Sequence, residues 1–322
     1  MNKPFFSSPS APLPVRTILG NIPYESLGIT DAHNHVWIDP IPGADPAAPV
    51  QNQFEKICDE LNSYRSSGGN TLLDCQPGGC GRNGNQLIRL SSESGVNIIT
   101  CTGFHRKKYY APNYWLFIAG VKKAAEYFIG ELTKSLEETK NQSDTARAGF
   151  IKLALEAVWV DTLQAALEGA AEAAYKTGAM IEIHTEKGAL AEKVVIFFEE
   201  HGVSPSQLVL CHMDKRSDFG LHAELARYGV LLEYDTFYRP KYEPEMNLWP
   251  LIRKMVEAGL ENRVVLATDM AEEEMYKTIG GGPGLASLPG EIKSRLSESG
   301  ISENAIRQML GGNIARRLAG LN

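Results

Sequence analysis

The 322-residue chain has little cysteine, no excess of basic residues and no long apolar segment. Its five cysteines are scattered without a Cys-x-x-Cys pair, which indicates reduced thiols rather than a disulfide framework. The net charge of −7 offers no basic surface for neutralising phosphates and argues against nucleic-acid binding. No segment approaches the length of a membrane span, and the first residues lack the apolar run of a secretory signal. We therefore expect a cytoplasmic protein with no nucleic-acid or membrane partner.

A Gly-x-Gly-x-x-Gly turn is also missing after the first strand-like segment, which disfavours a doubly wound open sheet. Short apolar strands alternate with amphipathic helices, and no linker or repeat divides the chain. The predicted strands are 29–37, 70–75, 97–103, 148–154, 179–184, 207–212, 229–234 and 263–268. The predicted helices are 51–66, 83–94, 120–139, 161–177, 188–201, 218–227 and 246–258, with short ones over 287–318.

This order predicts an α/β fold, namely a (β/α)8 TIM barrel with its active site at the C-terminal ends of the strands. We expect a single domain over residues 1–322. Residues 1–26 would cover the barrel floor or an edge, and the segments 104–119 and 235–247 would be loops over the mouth.

Two histidines lie near the end of the first predicted strand. Because successive side chains on a strand point to opposite faces, His33 and His35 emerge on the same face, close enough to bind one metal ion. Taken alone, the pair could equally be a polar strand edge or a chance occurrence. The other strands favour the metal site.

Four further strand-like segments carry side chains that a metal site can use: Lys152, His184, His212 and Asp269. Each has a structural explanation of its own, such as a hydrogen-bonded core histidine, a helix-capping aspartate or a lysine that reaches solvent. Five segments with this property are difficult to explain in that way, and in a barrel they converge on one mouth. Cys211 alternates with His212, so it should face away from the site and pack under a helix.

Imidazole and carboxylate ligands together suit Zn²⁺, and Mn²⁺, Co²⁺ or Fe²⁺ can take its place. Two ions about 3.5–4 Å apart need a bridging anion. The ammonium group of Lys152 would repel both ions, whereas a carbamate formed from its amine and CO2 would offer one oxygen to each. From residue types alone the carbamate is only a hypothesis.

Motifs spread over nearly the whole chain give a family resemblance. They occupy residues 15–23, 27–35, 79–83, 97–104, 149–152, 183–186, 211–214, 267–269 and 312–318. In order and spacing they resemble the phosphotriesterase family of the amidohydrolase superfamily. The resemblance implies a hydrolase with two divalent ions, and a homodimer is a further implication of it.

The resemblance also implies a role for each candidate ligand. The ligands would be His33, His35 and Asp269 for the more buried ion, His184 and His212 for the more exposed ion, and carbamylated Lys152 as the bridge. A hydroxide shared by the ions would attack a carbonyl or phosphoryl centre. Asp269 would be the catalytic residue that takes the proton and passes it to the leaving group.

Basic residues follow the third, sixth and seventh predicted strands, at positions 105–108, 215–216 and 239–241. Any one cluster could be a solvated loop, but three around one mouth favour a substrate with an anionic group. We predict His105, Arg239 and Lys241 as substrate-binding residues.

We predict a lactonase for a phosphorylated sugar lactone, a small-molecule substrate. A broader lactonase or carboxylesterase, or a phosphotriesterase, is the alternative enzyme. A metal-stabilised binding scaffold without turnover is the non-enzymatic alternative, although the complete ligand set and Asp269 argue against it.

Overall fold

A computed structural model describes residues 12–321 and begins with an antiparallel hairpin of β1 (Val15–Thr17) and β2 (Gly20–Ile22). The amide of Ile18, in the hairpin turn, donates to the carbonyl of Ile98 at 2.7 Å. Ile98 lies near the start of a barrel strand, so the hairpin covers the barrel floor, as expected for this part of residues 1–26. Residues 1–11 of that prediction lie outside the described residues, and the single domain over 1–322 stays a prediction.

Eight parallel strands form the barrel, paired with their neighbours in chain order. They are β3 (Ile29–Asn34), β4 (Gly69–Asp74), β5 (Asn97–Gly103), β6 (Phe150–Ala154), β7 (Ile181–His184), β8 (Leu208–Cys211), β9 (Leu231–Tyr234) and β10 (Val264–Leu266). The first and last of them meet where the amide of Asp269 donates to the carbonyl of His33 at 3.0 Å. The predicted TIM barrel is therefore confirmed, and every predicted strand is present with slightly different ends.

Helices follow the strands and pack on the outside of the barrel. They are α1 (Phe54–Ser66), α2 (Gly84–Ser94), α3 (Val121–Thr133), α4 (Gln164–Thr177), α5 (Ala191–Glu200), α6 (Phe219–Tyr228), α7 (Leu248–Glu257), α8 (Lys293–Glu298), α9 (Glu303–Arg307) and α10 (Asn313–Leu318). Helix α2 has ordinary caps at both ends: the Asn83 side chain accepts the amide of Gln86 at its start, and Gly95 adopts φ +67° at its end. Helix α3 ends at Thr133, well before the predicted residue 139.

The barrel interior changes character from floor to mouth. Ala32, Leu73, Phe150, Val209 and Val265 belong to one fully buried apolar cluster inside the barrel. Charged side chains appear further along the inward faces, where Lys152 follows Phe150 by two residues and Asp269 follows Val265 by four. This change of polarity places the ionisable groups at the mouth. No helix among residues 12–321 is long and apolar enough to cross a membrane.

Candidate metal centre

All six predicted metal ligands meet near the mouth: Lys152 lies within β6, and the others lie at or just beyond the ends of β3, β7, β8 and β10. The carboxylate of Asp269 connects them: its Oδ1 lies 3.7 Å from His33 Nε2 and 3.8 Å from His35 Nε2. Its Oδ2 lies 3.8 Å from His212 Nδ1, and His212 Nε2 is 2.8 Å from His184 Nδ1. The Nζ atom of Lys152 is 3.3 Å from both ring nitrogens of His33. The predicted site residues therefore form one cluster.

Two of these residues have a backbone conformation that L-amino acids rarely adopt. His212 has φ +62° and Asp269 has φ +47°, both in the left-handed region. Such strain persists only where surrounding contacts impose it, and it is concentrated at functional sites. Here it turns the chain sharply at the ends of β8 and β10, so that both side chains point into the mouth.

The left-handed turn explains why the expectation for Cys211 is wrong. Its Sγ atom lies 3.3 Å from Lys152 Nζ and 3.4 Å from Glu182 Oε1, inside the barrel and not under a helix. Alternation along β8 places Cys211 on the inward face, two residues after Val209. His212 reaches the same site only because the backbone leaves the strand at that residue.

Three histidines are held by partners that sequence reasoning missed. His33 Nδ1 lies 2.8 Å from Glu233 Oε1, and His35 Nδ1 lies 2.6 Å from Gln76 Oε1. Asp235 binds the Nδ1 atom of His212. Partners of this kind fix the imidazole orientation and leave the Nε2 atom for a metal. A signal for two of them was available, because Glu233 and Asp235 alternate along the end of β9.

Burial keeps the histidines neutral. It lowers the pKa of His35 to about 4 and lowers the pKa of His33 and His212 well below the ordinary value. Burial pushes the pKa of Asp269 upward, but the neighbouring His212 and Arg239 outweigh it and hold that pKa below its usual range. Neutral imidazoles beside an ionised carboxylate are the forms that bind metal ions.

Lys152 is fully buried and sits beneath the histidines. Its Nζ donates to Glu182 Oε1 at 2.7 Å, and the Cys75 thiol donates to the same oxygen at 2.9 Å. Burial lowers the pKa of Lys152, but the surrounding Cys211, Cys75 and Glu182 more than offset this and raise it well above its usual value. The unmodified side chain is therefore an ammonium paired with Glu182, which is one way to satisfy a buried lysine.

The donors present fit a divalent ion. Among residues 12–321, His33, His35 and Asp269 each offer a ligand atom within 4.8 Å of the others, and two more groups around His33 include Glu182, Cys211, Glu233, His212 and Asp235. His184 Nε2 is buried without a hydrogen-bond partner, which leaves a nitrogen for a ligand bond. Nitrogen donors with one carboxylate are the set that Zn²⁺ takes.

The metal-competent cluster forms the bottom of a cavity of about 350 Å³. The predicted loops contribute His105 and Tyr109 from one side and Arg239, Lys241 and Tyr242 from the other. The segment 38–50 between β3 and α1 forms a third wall, which the sequence analysis did not predict. That wall is largely apolar, with Ile38, Pro40, Ile41, Ala44, Pro46, Ala48, Pro49 and Val50 facing the cavity.

The three basic clusters differ once they are placed. Arg106 pairs with Glu156 at 3.0 Å and with Glu186 at 2.8 Å, so its charge is neutralised within the protein. Lys215 and Lys241 line the cavity. Arg239 also lines it, but its Nη2 atom donates to the carboxylate of Asp269. His105 is buried, with its ring centroid 5.6 Å from that of His184.

Comparison with known sequences identifies one family. The sequence model of the Phosphotriesterase family matches residues 13–318. A phospho-furanose lactonase from Mycoplasmopsis synoviae (strain 53) is 29% identical over 325 residues, which span 94% of this chain and 91% of that protein.

Two solved structures have the same fold. An amidohydrolase from Mycoplasma synoviae superposes with a TM-score of 0.84 at 27% identity, over 95% of this chain and 92% of that one. A lactonase from Listeria monocytogenes superposes with a TM-score of 0.88 at 23% identity, over 96% of this chain and 100% of that one. At this identity the second structure supports the fold alone.

Proposed function

Because the chain belongs to the phosphotriesterase family and is a hydrolase, we propose that it opens a lactone ring with two divalent ions held at the barrel mouth. The observation that carries the proposal is the cluster of neutral histidines, ionised Asp269 and buried Lys152 beneath a cavity that Lys215 and Lys241 line. Zinc is the metal we propose, since nitrogen donors predominate.

In this proposal each predicted ligand keeps its role. His33, His35 and Asp269 would hold one ion, His184 and His212 would hold the other, and Lys152 as a carbamate would offer an oxygen to each. The ammonium of Lys152 would first lose a proton; the resulting amine would then form a bond to the carbon of CO2 and lose a second proton, and both protons would pass to solvent. The carbamate keeps one N–H, which can donate to Glu182 where Nζ already lies 2.7 Å from Oε1. Because the site is fully buried beside Glu182 and Glu233, this added negative charge needs the two cations.

The chemistry divides between the ions and the side chains. When bound, two divalent ions supply Lewis acidity that polarises the lactone carbonyl and lowers the pKa of water from 15.7 to about 7. Asp269 takes the proton of the attacking water and delivers it to the ring oxygen as the acyl–oxygen bond breaks. Glu233, Gln76 and Asp235 hold the imidazoles so that these groups do not reorient during the reaction.

We propose a phosphorylated sugar lactone as the substrate. Lys241 and Arg239 on one wall, joined by Lys215, give the cavity a cationic side suited to a phosphate group. His105 lies on the opposite side and would contact the sugar. The name of the Mycoplasmopsis relative, a phospho-furanose lactonase, supports the same substrate class.

A broader lactonase or carboxylesterase is the second candidate, and the apolar wall of residues 38–50 favours it. Its charged residues at the cavity are Asp39 and Asp45, so it has no cationic partner for a phosphate, and its apolar part would accept a hydrophobic group. A phosphotriesterase activity would use the same ions. A scaffold that binds metal without turnover is the non-enzymatic alternative.

The test uses zinc-loaded protein and a matched pair of furanose 1,4-lactones, with and without a phosphate on the exocyclic hydroxyl. A higher kcat/KM for the phosphorylated lactone supports the proposal, and equal values support the broader lactonase. If protein with two bound zinc equivalents hydrolyses neither lactone and no simple ester, the metal-binding scaffold without turnover would be the remaining alternative. The zinc-loaded Asp269→Asn variant is the matched control for background hydrolysis.

We further propose that the enzyme works in the cytoplasm, because all five cysteines are unpaired and four of them are buried. The homodimer that the family resemblance implies stays a prediction.

A further inference from the structure

Asp269 depends on contacts outside its own strand. Its backbone is in the left-handed region at φ +47°, which aspartate enters more readily than most residues but still at an energetic cost. The amide donates to the carbonyl of His33 at 3.0 Å, which fixes one side of the residue. The Nη2 atom of Arg239 fixes the other side, because it donates to the Asp269 carbonyl at 2.6 Å and to carboxylate Oδ2 at 3.2 Å. One nitrogen therefore constrains both the backbone and the functional group.

Arg239 is itself firmly placed. Its amide donates to the carbonyl of Thr236 at 3.0 Å, and Pro240 follows it with a fixed φ. The amide of Thr236 donates to Asp214 Oδ2 at 2.8 Å, which attaches this loop to the loop after β8. The Arg239 side chain is only 15% exposed, so its contact with Asp269 is shielded from solvent.

We infer that Arg239 is a positioning residue that holds Asp269 in its strained, metal-facing conformation. This inference rests on the proposed function, since it assigns Asp269 the proton transfer. It adds to the proposed contact of Arg239 with a substrate anion and does not replace it. The two roles act on different kinetic constants. A lost substrate contact raises KM for the charged lactone, whereas a misplaced Asp269 lowers kcat for every lactone.

The contact between Arg239 and Asp269 differs from an ordinary ion pair on the surface. A surface pair is screened and contributes little. Here the same donor also satisfies a backbone carbonyl next to a left-handed residue, and both partners are largely buried. A lysine at this position would keep the charge, but its shorter side chain would not bring a nitrogen to the place that Nη2 occupies between the two acceptors.

The experiment compares zinc-loaded Arg239→Gln and Arg239→Lys with wild type on the lactone pair. We expect Arg239→Gln to retain two zinc equivalents and to lose roughly tenfold to a hundredfold in kcat on both lactones. Arg239→Lys should recover only part of that loss. Added guanidinium should raise kcat of Arg239→Ala. Arg253→Gln, at an exposed arginine on α7, makes the same chemical change away from the site and should match wild type.

A crystal structure of zinc-loaded Arg239→Gln gives a readout that needs no substrate. We expect the Asp269 carboxylate to rotate or to occupy more than one orientation. An unchanged Asp269 with kcat within twofold of wild type on both lactones would overturn the positioning role. If KM rises only for the phosphorylated lactone and kcat is unchanged, the positioning role would also be overturned, and Arg239 would only contact the substrate. Failure of wild type on every lactone would instead count against the proposed function, whatever the Asp269 orientation.

Discussion

The two ends of the barrel each hold a cavity, and the larger one is not at the metal-competent cluster. The cavity at the floor measures about 810 Å³, against about 350 Å³ at the mouth. Among the described residues that line the floor cavity there is no histidine, cysteine or aspartate; its charged side chains include Arg263, Lys293 and Arg317. Cavity size alone would therefore have placed the candidate active site at the floor, away from the metal-competent cluster.

The buried polar groups at the two ends also bond differently. At the floor, the guanidinium of Arg317 donates to the backbone carbonyls of Ser206 and Gly229, and Asn313 donates to the carbonyls of Glu261 and Val264. These bonds hold loops together. At the mouth, buried side chains bond to one another, as in the pairs His33–Glu233 and His35–Gln76. The side-chain network at the mouth includes two strained residues, His212 and Asp269, whereas the floor bonds named here join side chains to loop carbonyls.

Removal of the bridging lysine should give the largest effect at the mouth. We expect Lys152→Ala to lose both metals and nearly all activity, because the proposed bridging anion between the two cations is gone. Acetate or bicarbonate should restore part of the metal content and the activity, and Lys152→Glu should retain some of each. Metal analysis beside hydrolysis assays checks this, with circular dichroism to confirm folding now that Glu182 lacks its partner. Full activity in Lys152→Ala would remove the bridge from the mechanism.

Loss of the proton-transfer group, Asp269, should give the second-largest effect on activity. Asp269→Asn keeps the side-chain shape, so we expect KM to stay near wild type while kcat falls by about 10²–10⁴-fold. Steady-state kinetics on protein shown to hold two zinc ions gives the answer. A kcat near wild type in that protein would reduce Asp269 to a metal ligand.

The cationic wall should show a smaller and more selective effect. We expect Lys241→Gln to raise KM for the phosphorylated lactone by roughly tenfold to a hundredfold, the value of a charge-assisted contact. KM for the unphosphorylated lactone should change much less. Equal changes for both lactones would mean that the loop is disrupted and that Lys241 does not recognise a phosphate.

A change at the floor should separate stability from catalysis. Arg317→Met leaves the carbonyls of Ser206 and Gly229 without their donor, so we expect the free energy of unfolding to fall by about 1–3 kcal/mol. The folded variant should keep wild-type kcat and KM, because Arg317 touches nothing at the mouth. Urea unfolding followed beside kinetics tests this, and a loss of kcat in the folded variant would break the distinction between the two ends.

The sequence was sufficient to predict the barrel and the cluster, because both follow from local rules. Alternating strands and helices define the barrel, and strand ends converge on one mouth, so His33 and Asp269 had to meet. Contacts set by register and loop shape were not predictable. The pairing of His35 with Gln76 joins two strands, and the left-handed turn at His212 reversed the expectation for Cys211.

The loops were the least predictable part. Residues 38–50 carry no charge cluster that would draw notice as an active-site wall, yet they line the cavity. Arg239 was predicted from its charge as a group for the substrate. Its bond to Asp269 depends on how the loops after β9 and β10 pack, which no pattern along the chain contains.

A zinc titration of metal-free protein tests the central claim most directly. Zinc is added stepwise in the presence of bicarbonate, and both the bound metal and the rate of lactone hydrolysis are measured at each step. The account predicts that hydrolysis rises to a plateau at two bound equivalents per chain. A plateau at one equivalent, or two bound equivalents without hydrolysis of any lactone or ester, would contradict it.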